Sequence, residues 1–316
     1  MHIGVNFWPQ NTTWTQLRAH AVLADRLGFE SLWVWDHFYS INGDIHRPNF
    51  EGWQVQAAYA AITERIQIGC LVSSVTHRHP AVLANMAVAL DHISNGRAIL
   101  GIGAGWNALE HNAYGIDLGT PRERSDRLAE AAKIIRALVD GERVAHSGRY
   151  FELNNAEVLV RPVQRRLPIM VGGGGERRTL RTAARYADLW HAFESADGMR
   201  RKIAILRKHC ADVGRDPATI VPFGGSWVVV RDDPAKARAV LEAVAERHGM
   251  TSPPVGIVGG PDSVAERIAA FWNAGVKGFI VRFAEPFDDE SIERLASEVR
   301  PRLAELIART TSAISG

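Results

Sequence analysis

Arg97 to Asn107 reads R-A-I-L-G-I-G-A-G-W-N, an apolar run that opens into glycines at 101, 103 and 105. Ala98 to Ile102 has the length and composition of a buried strand, and the glycines mark its C-terminal end. Two readings fit such a strand end. Without a Cβ the backbone can lie close against a flat ligand, or it can turn tightly. Trp106 and Asn107 follow at once, offering an indole face and an amide that both donates and accepts hydrogen bonds.

Working outward from this strand, the same kind of run recurs along the chain. Strands are predicted at Ile3–Trp8, Ser31–Asp36, Ile66–Val72, Ala98–Gly103, Pro168–Gly172, Asp188–Ala192, Ile220–Val230 and Gly278–Phe283. Helical periodicity fills the intervals, at Trp14–Leu27, Trp53–Thr63, Ala81–Ile93, Pro121–Val139, Arg177–Tyr186, Met199–Val213, Ala235–Arg247 and Ser263–Ala274, and again at Asp288–Leu306. Strands separated by helices of this length pair in parallel through right-handed crossovers. Eight such units make a (β/α)8 TIM barrel the leading α/β architecture, ahead of an open doubly wound sheet. Residues 143–162 interrupt the alternation between strands four and five, with turn signals at Ser147-Gly148 and Asn154-Asn155. This is read as an insertion in a single domain spanning residues 1–316.

Composition narrows the function. With 37 basic and 35 acidic residues the net charge is only +2, which lacks the basic footprint of a nucleic-acid binder. The two cysteines, Cys70 and Cys210, have neither metal-ligand spacing nor a disulfide framework, which suits a reducing, cytoplasmic setting. The first residues carry no signal-peptide pattern, and no apolar run is long enough to span a membrane. A small-molecule substrate is the expected partner, with no nucleic acid and no membrane.

In a barrel of this kind chemistry gathers at the C-terminal strand ends. Strand two ends in Asp36-His37, a carboxylate and an imidazole able to manage a proton, or else a turn cap and a solvent histidine. Strand five runs into Gly172, Gly173, Gly174 and Gly175, then Glu176 and Arg177 at the start of a helix. That arrangement can cradle an anion on backbone amides or simply close a tight turn. Trp8, Trp106 and Trp227 fall at strand ends and suggest an aromatic substrate pocket, whereas Trp33, Trp35 and Trp272 are read as core. Thr76 to Pro80 carries two histidines without a third ligand, so Arg78 is read as a rim residue for a phosphate or a subunit contact.

These residues resemble the luciferase-like flavin and deazaflavin oxidoreductases over nearly the whole chain. The resemblance rests on L-W-V-W-D-H (32–37), I-G-C-L-V-S-S-V-T-H-R-H-P-A (68–81) and L-D-H-I-S-N-G-R-A-I-L-G-I-G-A-G-W-N-A-L-E-H (90–111). P-I-M-V-G-G-G-G-E-R-R-T-L-R-T-A-A-R-Y-A-D (168–188) completes it. The Asp-His ending of strand two is similar to the branch that uses coenzyme F420. The resemblance implies that Asp36 and His37 sit by the deazaflavin ring, with His37 the acid/base and Asp36 setting its tautomer or binding the cofactor. It also implies a non-prolyl cis peptide at Leu71-Val72, a bulge with Ser73 that backs the ring. Asn107 is placed near the cofactor, and Gly172 to Arg177 near its phosphate. A homodimer is implied as well.

One departure bears on the substrate. In the branch acting on glucose 6-phosphate a glutamate soon after the strand-four glycines serves as catalytic acid; here Trp106 stands there. Glu110, a few residues on, is not expected to substitute, so a sugar-phosphate dehydrogenase is disfavoured. The expected activity is hydride transfer between F420 and a small, apolar or planar organic substrate. The alternatives are a two-component monooxygenase using reduced FMN and oxygen, and a non-catalytic barrel that binds a cofactor.

Overall fold

The computed structural model describes residues 1–315. Its main sheet has ten strands, eight of which close a ring: His2–Phe7, Ser31–Val34, Gln67–Cys70, Ala98–Gly103, Ile169–Gly172, Leu189–His191, Val221–Val230 and Gly278–Phe283. Every neighbour in the ring is parallel. His2 lies opposite Gly278, and Val221 opposite Leu189, so the ring closes without an edge. All eight predicted strands are present, and the (β/α)8 barrel is the fold.

Side chains on alternate strand positions divide between two cores. Trp33, Ile99, Met170, Leu189, Phe223 and Ile280 fill the barrel interior. The indole of Trp33 donates to the Ser31 hydroxyl at 2.7 Å, so this buried ring leaves no polar atom unpaired. Outward-facing residues such as Val5, Leu32, Leu100 and Val171 meet the helix layer, where Leu83 and Ile135 are fully buried. Local chemistry sets the helix starts. Thr120 and Glu123 form a reciprocal capping box ahead of Pro121–Val139, and proline occupies the first turn of Pro80–Ile93, Pro234–His248 and Pro261–Asn273.

The third strand matters most for the site. Ile68 lies opposite Ala98 but Ser73 lies opposite Ile102, so five steps on one strand match four on its neighbour. The extra residue is a bulge at Leu71-Val72, whose peptide is cis, as the resemblance implied. A Cβ on Gly101 would lie 1.8 Å from the Cys70 carbonyl oxygen, and one on Gly103 would lie 2.5 Å from Val72 Cγ2. A Cβ on Gly172 would lie 2.8 Å from Val72 Cγ1. Two of the three motif glycines, Gly101 and Gly103, therefore make room first for the neighbouring strand.

Several elements differ from the sequence expectation. A short strand at Gly256–Gly259 pairs with the outer half of the seventh strand, outside the ring. A helix at Ala108–Tyr114 follows the fourth strand directly. The insertion is a hairpin of Val144–Ser147 and Glu152–Ala156, so Asn154-Asn155 falls inside its second strand and not at a turn. The final helical stretch is Asp289–Arg294, a π-helical turn over Leu295–Val299, and Arg300–Ser315. Among the described residues no helix is long and apolar enough to cross a membrane.

Candidate functional site

The strand ends surround a cavity of about 330 Å³, a size within the usual range for a bound organic ligand. The bulge supplies Leu71 and Val72, the fourth strand supplies Gly103 to Trp106, and the fifth supplies Gly172 and Gly173. Asp36, His37, Ser74, Glu110, Thr179 and His191 add the polar groups.

His37 is the best placed of these for proton chemistry. Its Nδ1 lies 2.7 Å from Glu110 Oε1, while the other Glu110 oxygen accepts the Phe38 N–H at 2.9 Å. That pairing makes Nδ1 the protonated nitrogen and leaves Nε2, which has no hydrogen-bond partner among the described residues, as the free one. Glu110 is buried to 1% exposure. Burial alone would raise its carboxyl, but the His37 hydrogen bond and charge and the Phe38 amide outweigh burial and hold it below the usual range. Glu110, not singled out from the sequence as a site residue, is thus the carboxylate that holds His37 Nδ1. The helix Ala108–Tyr114 carries it there, capped by Asn107, whose side chain accepts the Leu109 N–H.

Asp36 lines the cavity but does not set the His37 tautomer. It does not touch His37; it accepts two bonds from the Arg78 guanidinium, which also holds Glu51. Burial would raise the Asp36 carboxyl, yet His77 and Arg78 together hold it below its ordinary value. The Arg78 guanidinium thus ties Asp36 to Glu51 across the loop that follows the second strand. Asn49 donates to the His37 carbonyl, fixing the same loop from the other side.

The remaining expected residues divide. Trp106 is 58% exposed at the cavity mouth, with its ring edge-to-face against His37 at 5.3 Å. Trp8 and Trp227 do not line the cavity; they are buried against each other, with Trp35 also against Trp8. The Ser73 hydroxyl accepts from the Trp53 indole, and Ser74 takes its place on the wall. Asn107 is buried in its capping role. Gly174 gives its carbonyl to Lys202, Gly175 packs on Thr179, and Glu176 pairs with Arg201. Arg177 is exposed and, with Arg178, Arg181 and Arg185, lines a separate outer groove. The helix after the glycines starts at Thr179, not Arg177.

His191 and Arg282, which line the cavities, each carry a buried polar atom with no hydrogen-bond partner among the described residues. His191 lines the cavity, and its buried Nε2 has no partner; burial, reinforced by the Arg282 charge, lowers its pKa to about 3, so the ring is neutral. Arg282 lies against the Phe193 and Trp227 rings with no ion pair among the described residues, and burial lowers it to about 10. It faces an adjoining cavity of about 620 Å³ that shares Phe193 with the first. An unpartnered polar atom on the wall, and a glycine at Gly173 with φ +119° where a side chain is strained, fit a ligand-binding cleft.

The family model for luciferase-like monooxygenases matches residues 1–254. An F420-dependent glucose-6-phosphate dehydrogenase of Kineococcus radiotolerans is 32% identical, over 91% of this chain and 93% of that protein. An F420-dependent hydroxymycolic acid dehydrogenase of Mycobacterium tuberculosis is 32% identical over 71% of this chain and 61% of that protein. Among solved structures, the coenzyme F420-dependent tetrahydromethanopterin reductase of Methanopyrus kandleri superposes with a TM-score of 0.78 at 22% identity, covering 96% of this chain and 99% of that one. The last likeness establishes the barrel alone.

Proposed function

The chain belongs to the luciferase-like monooxygenase family, and within it we propose an F420-dependent oxidoreductase that passes a hydride between the deazaflavin and a small organic substrate. The observation that carries this reading is His37. Its Nδ1–H is held by a buried carboxylate, and its free Nε2 belongs to a ring lining the cavity backed by the Leu71-Val72 bulge.

The residues that would hold the cofactor are Leu71 and Val72 behind the ring, with Ser74, Gly172, Gly173 and Thr179 toward its phosphate. When bound, the deazaflavin supplies a carbon centre that gives or accepts hydride as a two-electron carrier. The protein handles the accompanying proton. His37 Nε2 takes it from an alcohol or gives it to a carbonyl, and Glu110 stabilises the positive ring that exists while Nε2 is protonated. Trp106 gives the mouth an apolar face, which favours an apolar or planar substrate body over a sugar phosphate. Arg282 offers a charged donor to an oxygen of a substrate reaching into the adjoining cavity.

A titration with F420 and FMN tests the reading. Micromolar binding of F420 is expected, with His37→Ala retaining binding and losing turnover. Binding of FMN alone would overturn the assignment in favour of a flavin monooxygenase, and turnover unaffected by His37→Ala would remove the proton role.

A further inference from the structure

The mouth of the barrel holds three polar side chains that the proton chemistry leaves unused. Arg282 lies two residues beyond Ile280, which fills the barrel interior, so its side chain leaves the same face of the last strand. Asn6 lies opposite Arg282 on the first strand. It is two residues beyond Gly4, where a Cβ would lie 2.8 Å from the interior Trp33 indole nitrogen. His191 ends its strand two residues beyond the interior Leu189. Each of the three leaves a buried nitrogen without a hydrogen-bond partner among the described residues: Arg282 Nε, Asn6 Nδ2 and His191 Nε2.

These orphan atoms share a sense. The guanidinium and amide nitrogens can only donate, and a neutral His191 donates from Nε2 in one of its tautomers. The partner they fit is therefore an acceptor. Its charge follows from Arg282, a largely buried cation whose neighbours are the Phe193 ring at 4.2 Å and the Trp227 ring at 5.4 Å, with no ion pair among the described residues. Burying a cation unpaired is costly, and an anion in the adjoining cavity would offset that cost. Glu194, the carboxylate on that cavity's wall, is already paired with Lys202 at 2.8 Å. Arg267 on the same wall donates to the Val258 and Gly256 carbonyls. Gly225 keeps room beside the orphans, since a Cβ there would lie 3.4 Å from His191 Nε2 and 3.2 Å from Phe193 Cε1.

We propose that Arg282, with Asn6 and His191 beside it, binds a carboxylate of the substrate, so that the substrate class is an organic acid with its alcohol or carbonyl elsewhere on an apolar body. The proposal deepens the F420 reading and rests on it for the redox step alone. One uncompensated positive charge matches a singly charged carboxylate. A phosphate dianion calls for a second free cation, and Lys202 and Arg267 are engaged. The rings of Phe193 and Trp227 against the guanidinium suit an apolar body next to the charged group. Phe193 lines both cavities, so one substrate can reach Arg282 from the cavity that holds His37. The carboxylate keeps its oxidation state; it fixes the substrate's orientation while the proton moves at His37.

The test is calorimetric titration of the cofactor-free protein with benzoate, its neutral isostere benzamide, and inorganic phosphate. Benzoate is expected to bind at least about tenfold more tightly than benzamide, the size of a charge-assisted hydrogen bond. Arg282→Gln should abolish that preference, and Arg282→Lys, which keeps the charge, should retain part of it. Equal binding of benzoate and benzamide by the wild type would overturn the proposal without any variant being made. A preference for benzoate that survives in Arg282→Gln would overturn it too, by placing the anion elsewhere. Phosphate binding more tightly than benzoate would replace the carboxylate by a phosphate ester. No cofactor is present in these titrations, so their outcome is separate from that of the F420 assignment.

Discussion

Gly103→Ala tests whether the glycines of the fourth strand accommodate the bulge. The new Cβ would lie 2.5 Å from Val72 Cγ2, about 1 Å inside ordinary contact. Valine is stiff at χ1 and cannot swing its methyl aside cheaply. Gly172 and Gly101 already lie against the same side chain, at 2.8 and 3.2 Å from their built Cβ positions to Val72 Cγ1. The open direction is the cavity, so the bulge should be displaced into it. Overpacking of this kind costs about 1–3 kcal/mol. Val72→Ala alone should cost about 1–2 kcal/mol through lost packing. In the double variant the clash is gone, and the cycle should show a favourable coupling of about 1–3 kcal/mol. Urea melts of the four proteins measure this, and cofactor titration should show Gly103→Ala binding more weakly and the double variant recovering. Additive single-variant costs, within about 0.5 kcal/mol, would refute the packing argument.

Other expectations follow from the same geometry. Glu110→Gln keeps shape but sets an amide N–H₂ against either the His37 Nδ1–H or the Phe38 N–H; turnover should fall by roughly 100-fold with a smaller change in KM, measured by steady-state kinetics. A fall in KM alone would count against it. Burial lowers His2, His191 and His248 to about 4, 3 and 4. These rings stay neutral when folded, whereas the unfolded chain takes up protons below about pH 6.5. Stability should therefore be full above that pH and decline toward pH 5 by up to about 2 kcal/mol for each ring, read from denaturant melts. Stability that is flat from pH 7 to 5 would exclude this. Asp36 and Glu110 work in the opposite sense, since their lowered carboxyls stabilise the fold above about pH 4.5, and their contribution is lost only as pH falls below it. Trp106→Ala should leave the melting temperature within a few degrees, because the ring is mostly exposed, and should raise KM for apolar substrates.

The legible part of the site was its outline. Asp36-His37 and the glycine ends of the fourth and fifth strands could be found by locating strand termini in a barrel. Glu110 escaped although a local signal existed, since Asn107 followed three residues later by Glu110 is a helix-start pattern. Reading it would have found the helix but not the role, because the Glu110 carboxylate leaves its own backbone for His37, 73 residues away. Gly256–Gly259 was missed because its four residues hold two glycines and match no strand period by themselves. Trp8 follows the end of the first strand as read, whereas Trp227 lies inside Val221–Val230, three residues before its end, and in either place a side chain can point toward the cavity or away from it.

What the sequence alone determined is the alternation of strand and helix, and with it the barrel and the end at which chemistry gathers. These follow from periodicity and capping, which act within a few residues. The tertiary structure decided what each strand-end residue faces. Gly101 and Gly103 admit the neighbouring bulge, Asp36 anchors Arg78, and Glu110 orients His37 while His77 lies between the two carboxylates. Those outcomes depend on which side chains meet across strands and helices some 30 to 70 residues apart, and no local pattern carries that register.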